Sequence, residues 1–426
     1  VAVEDPDPST AARRLASVIG RFGLRGLAIG LSRDRIAFSA PNIGRQPSAT
    51  RALLLELNRP TAAHLDMLEG LKIDPASNPL GHAMRLAELL NTEAAGERFF
   101  RAFRQTLGEM SSSYSPPISS ADGRELALVS LTRILFLYFV QAKGWLAGDR
   151  HFLRHQLDRA LARNTSFHAA VLDPLFFGTL NRHPNDRDAS CFSGVPYLNG
   201  GLFEPTAMER RMGRCFLSNE QWRRAFDDLF ERFRFCVREA VEVDAVAPDM
   251  LGRVFERLME TSRRRGSGAY YTPEALVEQI VTTAIDAALA STPNPLDPQG
   301  NRSPQSDTPR SGLTRRLRSL RILDPACGSG AFLLGALEHL TRVWEALPAA
   351  HVPRRALRRR VLRENLFGVD VDPTAVRLAE LRLWLAIIAD DPETTVEHVH
   401  PLPNLNGIVR QGDTLMDPVA AARRLH

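Results

Sequence analysis

The segment Ile322-Leu-Asp-Pro-Ala-Cys-Gly-Ser-Gly-Ala-Phe332 constrains the fold more than any other stretch of the chain. A short apolar strand, Arg321 to Asp324, ends in an acid. Gly328 and Gly330 then make a turn whose backbone can come close to a ligand, and the apolar stretch Ala331–Leu347 reads as the following helix. In open α/β sheets ligands lie at the carboxyl ends of the strands, where this acid and this turn sit. The pattern downstream supplies neighbours: a basic helix at Arg354–Arg363, a strand at Leu366-Phe-Gly-Val-Asp370, a helix at Thr374–Ala389 and a strand around Gly407-Ile-Val-Arg410. Strands alternating with helices predict a parallel α/β sheet. With a helix at Glu274–Ala290, this region runs over 262–426, and the Pro-, Ser-, Asn- and Gln-rich stretch 291–311 reads as a flexible surface loop.

The preceding chain has a different texture. Over 96–261 helical spacing dominates. Phe99, Phe103, Leu107 and Met110 fall on one helical face, Arg124–Leu146 reads as a long core helix, and Phe152–Arg163 reads as an amphipathic one. A loop-rich stretch at Asn181–Pro205 is followed by helices at Gln221–Phe235 and Met250–Glu260. Residues 1–95 are the least readable. Thr10–Ile19 looks helical, Gly26–Gly30 and Arg35–Phe38 look like short strands, and Ala49–Leu71 and His82–Leu90 carry helical spacing.

Composition narrows the class. At 426 residues, 44% hydrophobic and 24% charged, the chain is globular and long enough for several cores. Its four cysteines form no Cys-x-x-Cys pair, which predicts a reducing cytoplasmic setting and no structural zinc. The acidic start lacks the basic and apolar regions of a signal peptide, and the apolar run Ile134–Val140 is too short to span a bilayer, so no membrane association is expected. The absence of an initiator Met is expected of a processed or partial chain. Lys occurs only at Lys72 and Lys143, so nearly all of the basic residues behind the net charge of +5 are arginine.

Asp370 closes the second strand, where a carboxylate can accept both hydroxyls of a ribose. It lies 46 residues after Asp324, whereas the acid of a dinucleotide fingerprint follows its glycines by about 20, and the third glycine of that fingerprint is missing. A nicotinamide dinucleotide site is therefore disfavoured.

These residues resemble the S-adenosylmethionine-dependent DNA adenine-N6 methyltransferases, in particular the large proteins of restriction–modification and phage-exclusion (BREX-like) systems. Asp324–Phe332 looks like their cofactor motif and Gly268-Ala-Tyr-Tyr-Thr-Pro273 like the segment upstream of it. Pro403-Asn-Leu-Asn406 followed by Gly412-Asp-Thr-Leu415 is similar to their third segment. Phe136–Trp145 and Tyr197-Leu-Asn-Gly-Gly-Leu-Phe203 resemble the domain in front of the methylase core.

The resemblance implies a Rossmann-like class I methyltransferase sheet preceded by a mostly α-helical domain, and S-adenosylmethionine as cofactor. Tyr271, Thr272 and Pro273 would line its methionine side. Asp324 and Gly328 would lie near its amino-acid moiety, Asp370 would hold its ribose and Asp413 its adenine amino group, with Ala326 and Gly330 also among the cofactor-binding residues. Implied partners are double-stranded DNA and other subunits of a defence complex.

The sequence departs from the family in one respect. Such enzymes carry an Asn/Asp-Pro-Pro-aromatic motif after the third segment to hold the target amine, and this chain has none. The sheet is expected to be incomplete at its C-terminal side, no catalytic residue is assigned, and the chain is expected to bind cofactor without completing methyl transfer. Alternatives are a non-catalytic scaffold of a defence complex and a methyltransferase acting on RNA or protein. A metal-dependent nuclease site is not expected, since neither lysine stands beside clustered carboxylates in a strand. For DNA phosphates the better candidates are Arg263, Arg264 and Arg265; a second cluster at Arg354–Arg363 could contact phosphates too, but its ordinary reading is a solvated helix face.

Overall fold

The computed structural model describes residues 7–24, 26–41, 52–57, 68, 92–188, 192–198, 201–213, 215–236, 245–246, 248, 250–251, 272, 274–291, 309–347, 352–392, 396–405 and 407–416. The chain divides into two compact units. The first comprises Val1–Lys143, Asp149–Asp173 and Thr206–Val254; the second comprises Gly144–Gly148, Pro174–Pro205 and Phe255–His426.

The first unit opens with helix α1 (Pro8–Arg21), whose N-terminal Thr10 N–H is capped by the Asp7 carboxylate at 3.0 Å. Strands β1 (Ala28–Leu31), β2 (Arg35–Ser39) and β3 (Ala52–Glu56) follow as an antiparallel sheet in that order. β3 corrects the helical reading of Ala49–Leu71 over Ala52–Glu56; of the remainder only Leu57, in a turn, and Leu68, which is helical, fall among the described residues. The apolar run of β3 packs on both faces, Ala52 and Leu54 with Ala12 of α1 and Ala37, and Leu53 and Leu55 with Phe38 and Leu68. A strand covered on both sides has no alternation to betray it.

Helices α2 (Thr92–Ser111), α3 (Ser120–Ala142), α4 (Phe152–Ala162), α5 (Ala207–Met212) and α6 (Asn219–Asp228) build the helical core. Phe99, Phe103, Leu107 and Met110 are all buried along one face of α2, as their spacing requires. By length and composition α3 could cross a membrane, but most of it is buried within the protein. Inside it, Arg133 meets Glu209 of α5 through two hydrogen bonds of 2.5 and 3.1 Å. Tyr138 stacks on Phe230 and donates its hydroxyl to Glu231 at 2.5 Å. The sequence-predicted helix Gln221–Phe235 ends early: Arg234–Phe235 forms strand β4, parallel to β5 (Ala245–Val246), and Phe235 packs edge-on against Phe139. Two π-helical turns, His168–Leu172 and Pro174–Leu180, precede the loop-rich stretch and have no counterpart in the sequence reading. Of the sequence-predicted helix at Met250–Glu260 only residues 250 and 251 fall among the described residues, and the one at 82–90 lies outside them.

The second unit holds helix α7 (Glu274–Ser291), helix α8 (Pro309–Ser319), strand β6 (Ile322–Asp324), helix α9 (Ala331–Glu345), helix α10 (Arg354–Glu364), strand β7 (Leu366–Asp370), helix α11 (Pro373–Ala389) and strand β8 (Val409–Gln411). The strands form a parallel sheet in the order β6-β7-β8, with Asp324 opposite Gly368 and Asp370 opposite Gln411. Helices α9, α10 and α11 pack against β7, and α7 packs against α9. Residues 292–308 of the sequence-predicted loop lie outside the described residues, but its last residues begin α8 instead. Asn365, buried at the end of α10, fixes α8 by donating to the carbonyls of Leu317 and Leu320 at 2.7 and 2.8 Å. Helix α7 is tied to α9 by His339, whose Nε2 lies 2.8 Å from Asp286 Oδ1.

Candidate functional site

At the carboxyl ends of β6, β7 and β8 three separated segments meet. The Cys327 N–H donates to the Val369 carbonyl at 2.9 Å, and the Gly412 N–H donates to the Asp370 carbonyl at 2.9 Å. The Thr414 hydroxyl donates to the Pro325 carbonyl at 3.0 Å. Asp324, Gly328, Asp370 and the 412–414 segment therefore share one edge of the sheet.

Two glycines make this meeting possible. Gly330 begins α9 with φ +83°, and a Cβ there would stand 3.1 Å from Ala379 Cβ of α11. At Gly368 in β7 a Cβ would come within 2.7 Å of Leu333 and 3.1 Å of Cys327 Sγ, so any side chain would push the turn off the sheet.

The acids are held in defined orientations. Asp370 Oδ2 accepts the Gly328 N–H at 2.8 Å and its Oδ1 accepts the Asp372 N–H at 2.8 Å. An ionised carboxylate has about four acceptor sites, so each oxygen keeps capacity for a further donor. Asp324 Oδ1 accepts the Ala326 N–H at 3.2 Å, while its Oδ2 is buried with no hydrogen-bond partner. Burial and repulsion from Asp370 push the Asp324 carboxyl above its usual range, against the pull of the Ala326 N–H. The Cys327 thiol is pushed up to about 12 by burial and by the two acids. This edge thus concentrates negative charge around an unsatisfied acceptor, which suits a ligand carrying positive charge and N–H or O–H donors.

Ala326 is exposed beside these acids. Asp413 is exposed as well, and its Oδ1 accepts the Leu415 N–H at 3.0 Å, so one oxygen serves the local turn. Thr272 is half-buried just ahead of α7, whereas Tyr271, Pro273 and Arg263–Arg265 lie outside the described residues.

The arginine cluster of α10 differs from both of its readings, a solvated face and a phosphate contact, because most of it is paired within the protein. Arg354 pairs with Glu338, Glu345 and Asp390 at 2.6, 2.5 and 2.9 Å. Arg358 pairs with Glu338 and Asp390, and donates to the Ala386 carbonyl. Arg355 and Arg359 face the buried Asp391, Arg359 also donates to the carbonyls of His400 and Pro401, and Arg360 lies over the Trp344 ring. Burial alone would raise the Glu338 carboxyl, but Arg358 and Arg354 hold it below its usual range. Arg354, Arg358 and Arg360 thus tie α10 to α9 and to the end of α11, while Arg363 is exposed. Replacing Arg354 and Arg358 together by glutamine is expected to lower the melting temperature and leave DNA affinity and its salt dependence unchanged, as thermal melting and filter binding would read.

Sequence reasoning missed two contributors. Thr414 ties the third segment to the first. Arg382 of α11 donates from Nη1 to both the carbonyl and the hydroxyl of Ser329 at 2.9 Å. The signal for Arg382 was a charge set between Leu381 and Leu383 in a largely apolar helix that also carries Arg377 and Glu380.

Comparison with known proteins adds independent observations. Residues 302–417 match the family described as MmeI, DNA-methyltransferase domain, and residues 119–222 match a domain of unknown function, DUF7814. A type II restriction enzyme and methyltransferase of Methanocaldococcus jannaschii, RM.MjaORFECS2P, is 29% identical over 336 residues, which cover 71% of this chain and 28% of that protein. The adenine-specific methyltransferase PglX of Streptomyces coelicolor is 38% identical over 79 residues, 18% of this chain and 6% of that protein. The aligned region thus covers less than a third of the length of either relative. Among solved structures, the restriction-modification enzyme MmeI in complex with DNA aligns over 77% of this chain and 40% of that chain, at 19% identity and a TM-score of 0.49.

Proposed function

We propose, for a chain that belongs to the restriction–modification and phage-exclusion type of DNA methyltransferase, that its second unit binds S-adenosylmethionine at the β6-β7-β8 edge. The complete protein would methylate adenine N6 in double-stranded DNA, in the cytoplasm and within a defence system. The observation that carries this reading is the buried, unpartnered Asp324 Oδ2 beside Asp370 and the Gly328–Gly330 turn.

The residues present fit the cofactor. Asp324 Oδ2 suits its ammonium group, the free acceptor sites of Asp370 suit a ribose diol, and the glycine turn admits close backbone approach. Asp413, at the rim, would take the adenine amino group. The β6-β7-β8 order supports one wing of a doubly wound, Rossmann-like sheet. Tyr271, Thr272 and Pro273 immediately precede α7, so the docking of α7 through His339 would set where that segment reaches the ligand. The adenine specificity of the Streptomyces relative supports N6 as the target. Arg263–Arg265 would contact phosphates, and other defence subunits would complete the assembly.

When bound, the cofactor supplies an electrophilic methyl group on a sulfonium. The protein's part is to hold the target base, extruded from the duplex, in line with that methyl group, and such positioning supplies much of the barrier reduction. The 426-residue chain contains no Asn-Pro-Pro-aromatic segment to do this. The purified chain is therefore expected to bind S-adenosylmethionine in calorimetry yet transfer no detectable tritiated methyl to duplex DNA. A longer protein that adds such a segment and a recognition domain is expected to transfer it. Robust methylation by the 426-residue chain would overturn the assignment of the missing catalytic element.

A further inference from the structure

We propose that Arg382 is a positioning residue for the cofactor turn, acting through Ser329. This rests on reading Cys327–Gly330 as part of the S-adenosylmethionine site. Arg382 stands in α11 between Leu381 and Leu383, both buried, and a guanidinium in such a setting is costly unless its donors are used. Nη1 reaches both oxygens of Ser329, a residue only 3% exposed whose carbonyl and hydroxyl are shielded from water.

The same stretch of α11 forms the floor of the turn, since Ala379, one helical turn before Arg382, is what a Cβ on Gly330 would strike. At the same turn Asp370 Oδ2, at the end of β7, accepts the Gly328 N–H. A segment with two left-handed residues, Gly328 at φ +52° and Gly330 at φ +83°, is thereby gripped by a cation from α11 and a carboxylate from β7. Glycines lose more conformational freedom on ordering than any other residue. The grip orders them before the ligand arrives, so that binding does not have to.

Arg382 is thus the counterpart of Asp370: the carboxylate faces the ligand and fixes Gly328, while the guanidinium fixes Ser329. A lysine keeps the charge and N–H donors, but on a flexible four-carbon stem without the preorganised direction of the planar guanidinium. Loss of Arg382 removes the donor shared by the Ser329 carbonyl and hydroxyl and loosens the turn, without removing any atom placed against the ligand.

The test uses the 426-residue chain with Arg382→Met, Arg382→Lys, Ser329→Ala and the Arg382→Met/Ser329→Ala double variant. Calorimetry reads S-adenosylmethionine affinity, and amide hydrogen exchange without ligand reads the order of residues 327–331. Arg382→Met is expected to weaken binding about tenfold, about 1.4 kcal/mol, and to speed exchange at the turn while α11 and β7 stay protected. Arg382→Lys should fall between wild type and Arg382→Met. Ser329→Ala should cost less and add nothing in the Arg382→Met background, as expected of residues acting as one unit. Wild-type affinity and exchange in Arg382→Met would overturn the proposal, as would an additive double variant or loss of protection along the whole of α11. If the wild-type chain binds no S-adenosylmethionine, the cofactor reading fails, and exchange at the turn alone decides the role of Arg382.

Discussion

Replacing Asp370 by alanine is expected to weaken S-adenosylmethionine binding by about 100-fold, or about 3 kcal/mol. The carboxylate would offer one acceptor to each ribose hydroxyl, and hydrogen bonds to a charged group contribute about 1.5–3 kcal/mol each before compensation. Alanine also frees the N–H groups of Gly328 and Asp372, which Asp370 now orients. Asparagine should not rescue. Whichever way its amide is turned, an NH2 group is set against one of those two backbone N–H donors. Calorimetry on the three proteins, with melting temperatures to confirm folding, is the measurement. Equal affinities would remove Asp370 from the ribose role.

Glu209→Ala is expected to destabilise the first unit by about 3–5 kcal/mol, the range for stripping one partner from a buried ion pair. Arg133 is 1% exposed inside α3, and Glu209 gives it two carboxylate hydrogen bonds. Glu209 also closes a capping box at the start of α5, where its Oε2 accepts the Thr206 N–H at 2.7 Å while its own N–H donates to the Thr206 hydroxyl at 3.0 Å. The double variant Arg133→Met/Glu209→Gln removes both charges together and should lose far less than Glu209→Ala, because no buried charge is stranded. Urea titrations followed by far-UV circular dichroism would separate the two. A loss under about 1 kcal/mol for Glu209→Ala would reduce the pair to the worth of a surface contact.

The parts of the fold legible in the sequence were those where one residue type has one structural job. The glycines at 328 and 330, and the acids closing β6 and β7, mark a turn and two strand ends, and the structure brings them together. The face of α2 was legible because a helix buried on one side leaves a period. Where both sides are buried the period vanishes, and β3 therefore resembled a helix. Helix α8, PRSGLTRRLRS, was not anticipated at all, because among its described side chains only Leu317 is buried. The arginines of α10 showed a charge but not its partners. Glu338, Asp390 and Asp391 lie 16 to 36 residues away along the chain, and only the fold decides whether such a cluster faces carboxylates or solvent. Tyr271, Pro273 and Arg263–Arg265 lie outside the described residues and remain a matter of sequence.

The two units are interleaved along the chain, and this bears on synthesis. Pro174–Pro205 belongs with the C-terminal unit, where Leu175, Phe176, Leu180, Leu198, Leu202 and Phe203 are buried and the Leu402 N–H donates to the Leu198 carbonyl at 2.6 Å. That carbonyl leaves the ribosome some 200 residues before its donor. At about 5–20 residues per second, the Tyr197–Phe203 neighbourhood waits about 10–40 s for its partner. During that interval its leucines and phenylalanines have only one another and Gly144–Gly148 of their own unit to pack against, as Phe176 does against Phe203. Growth temperature and chaperone supply then govern the yield of folded protein, with the vulnerable stretch in the middle of the chain.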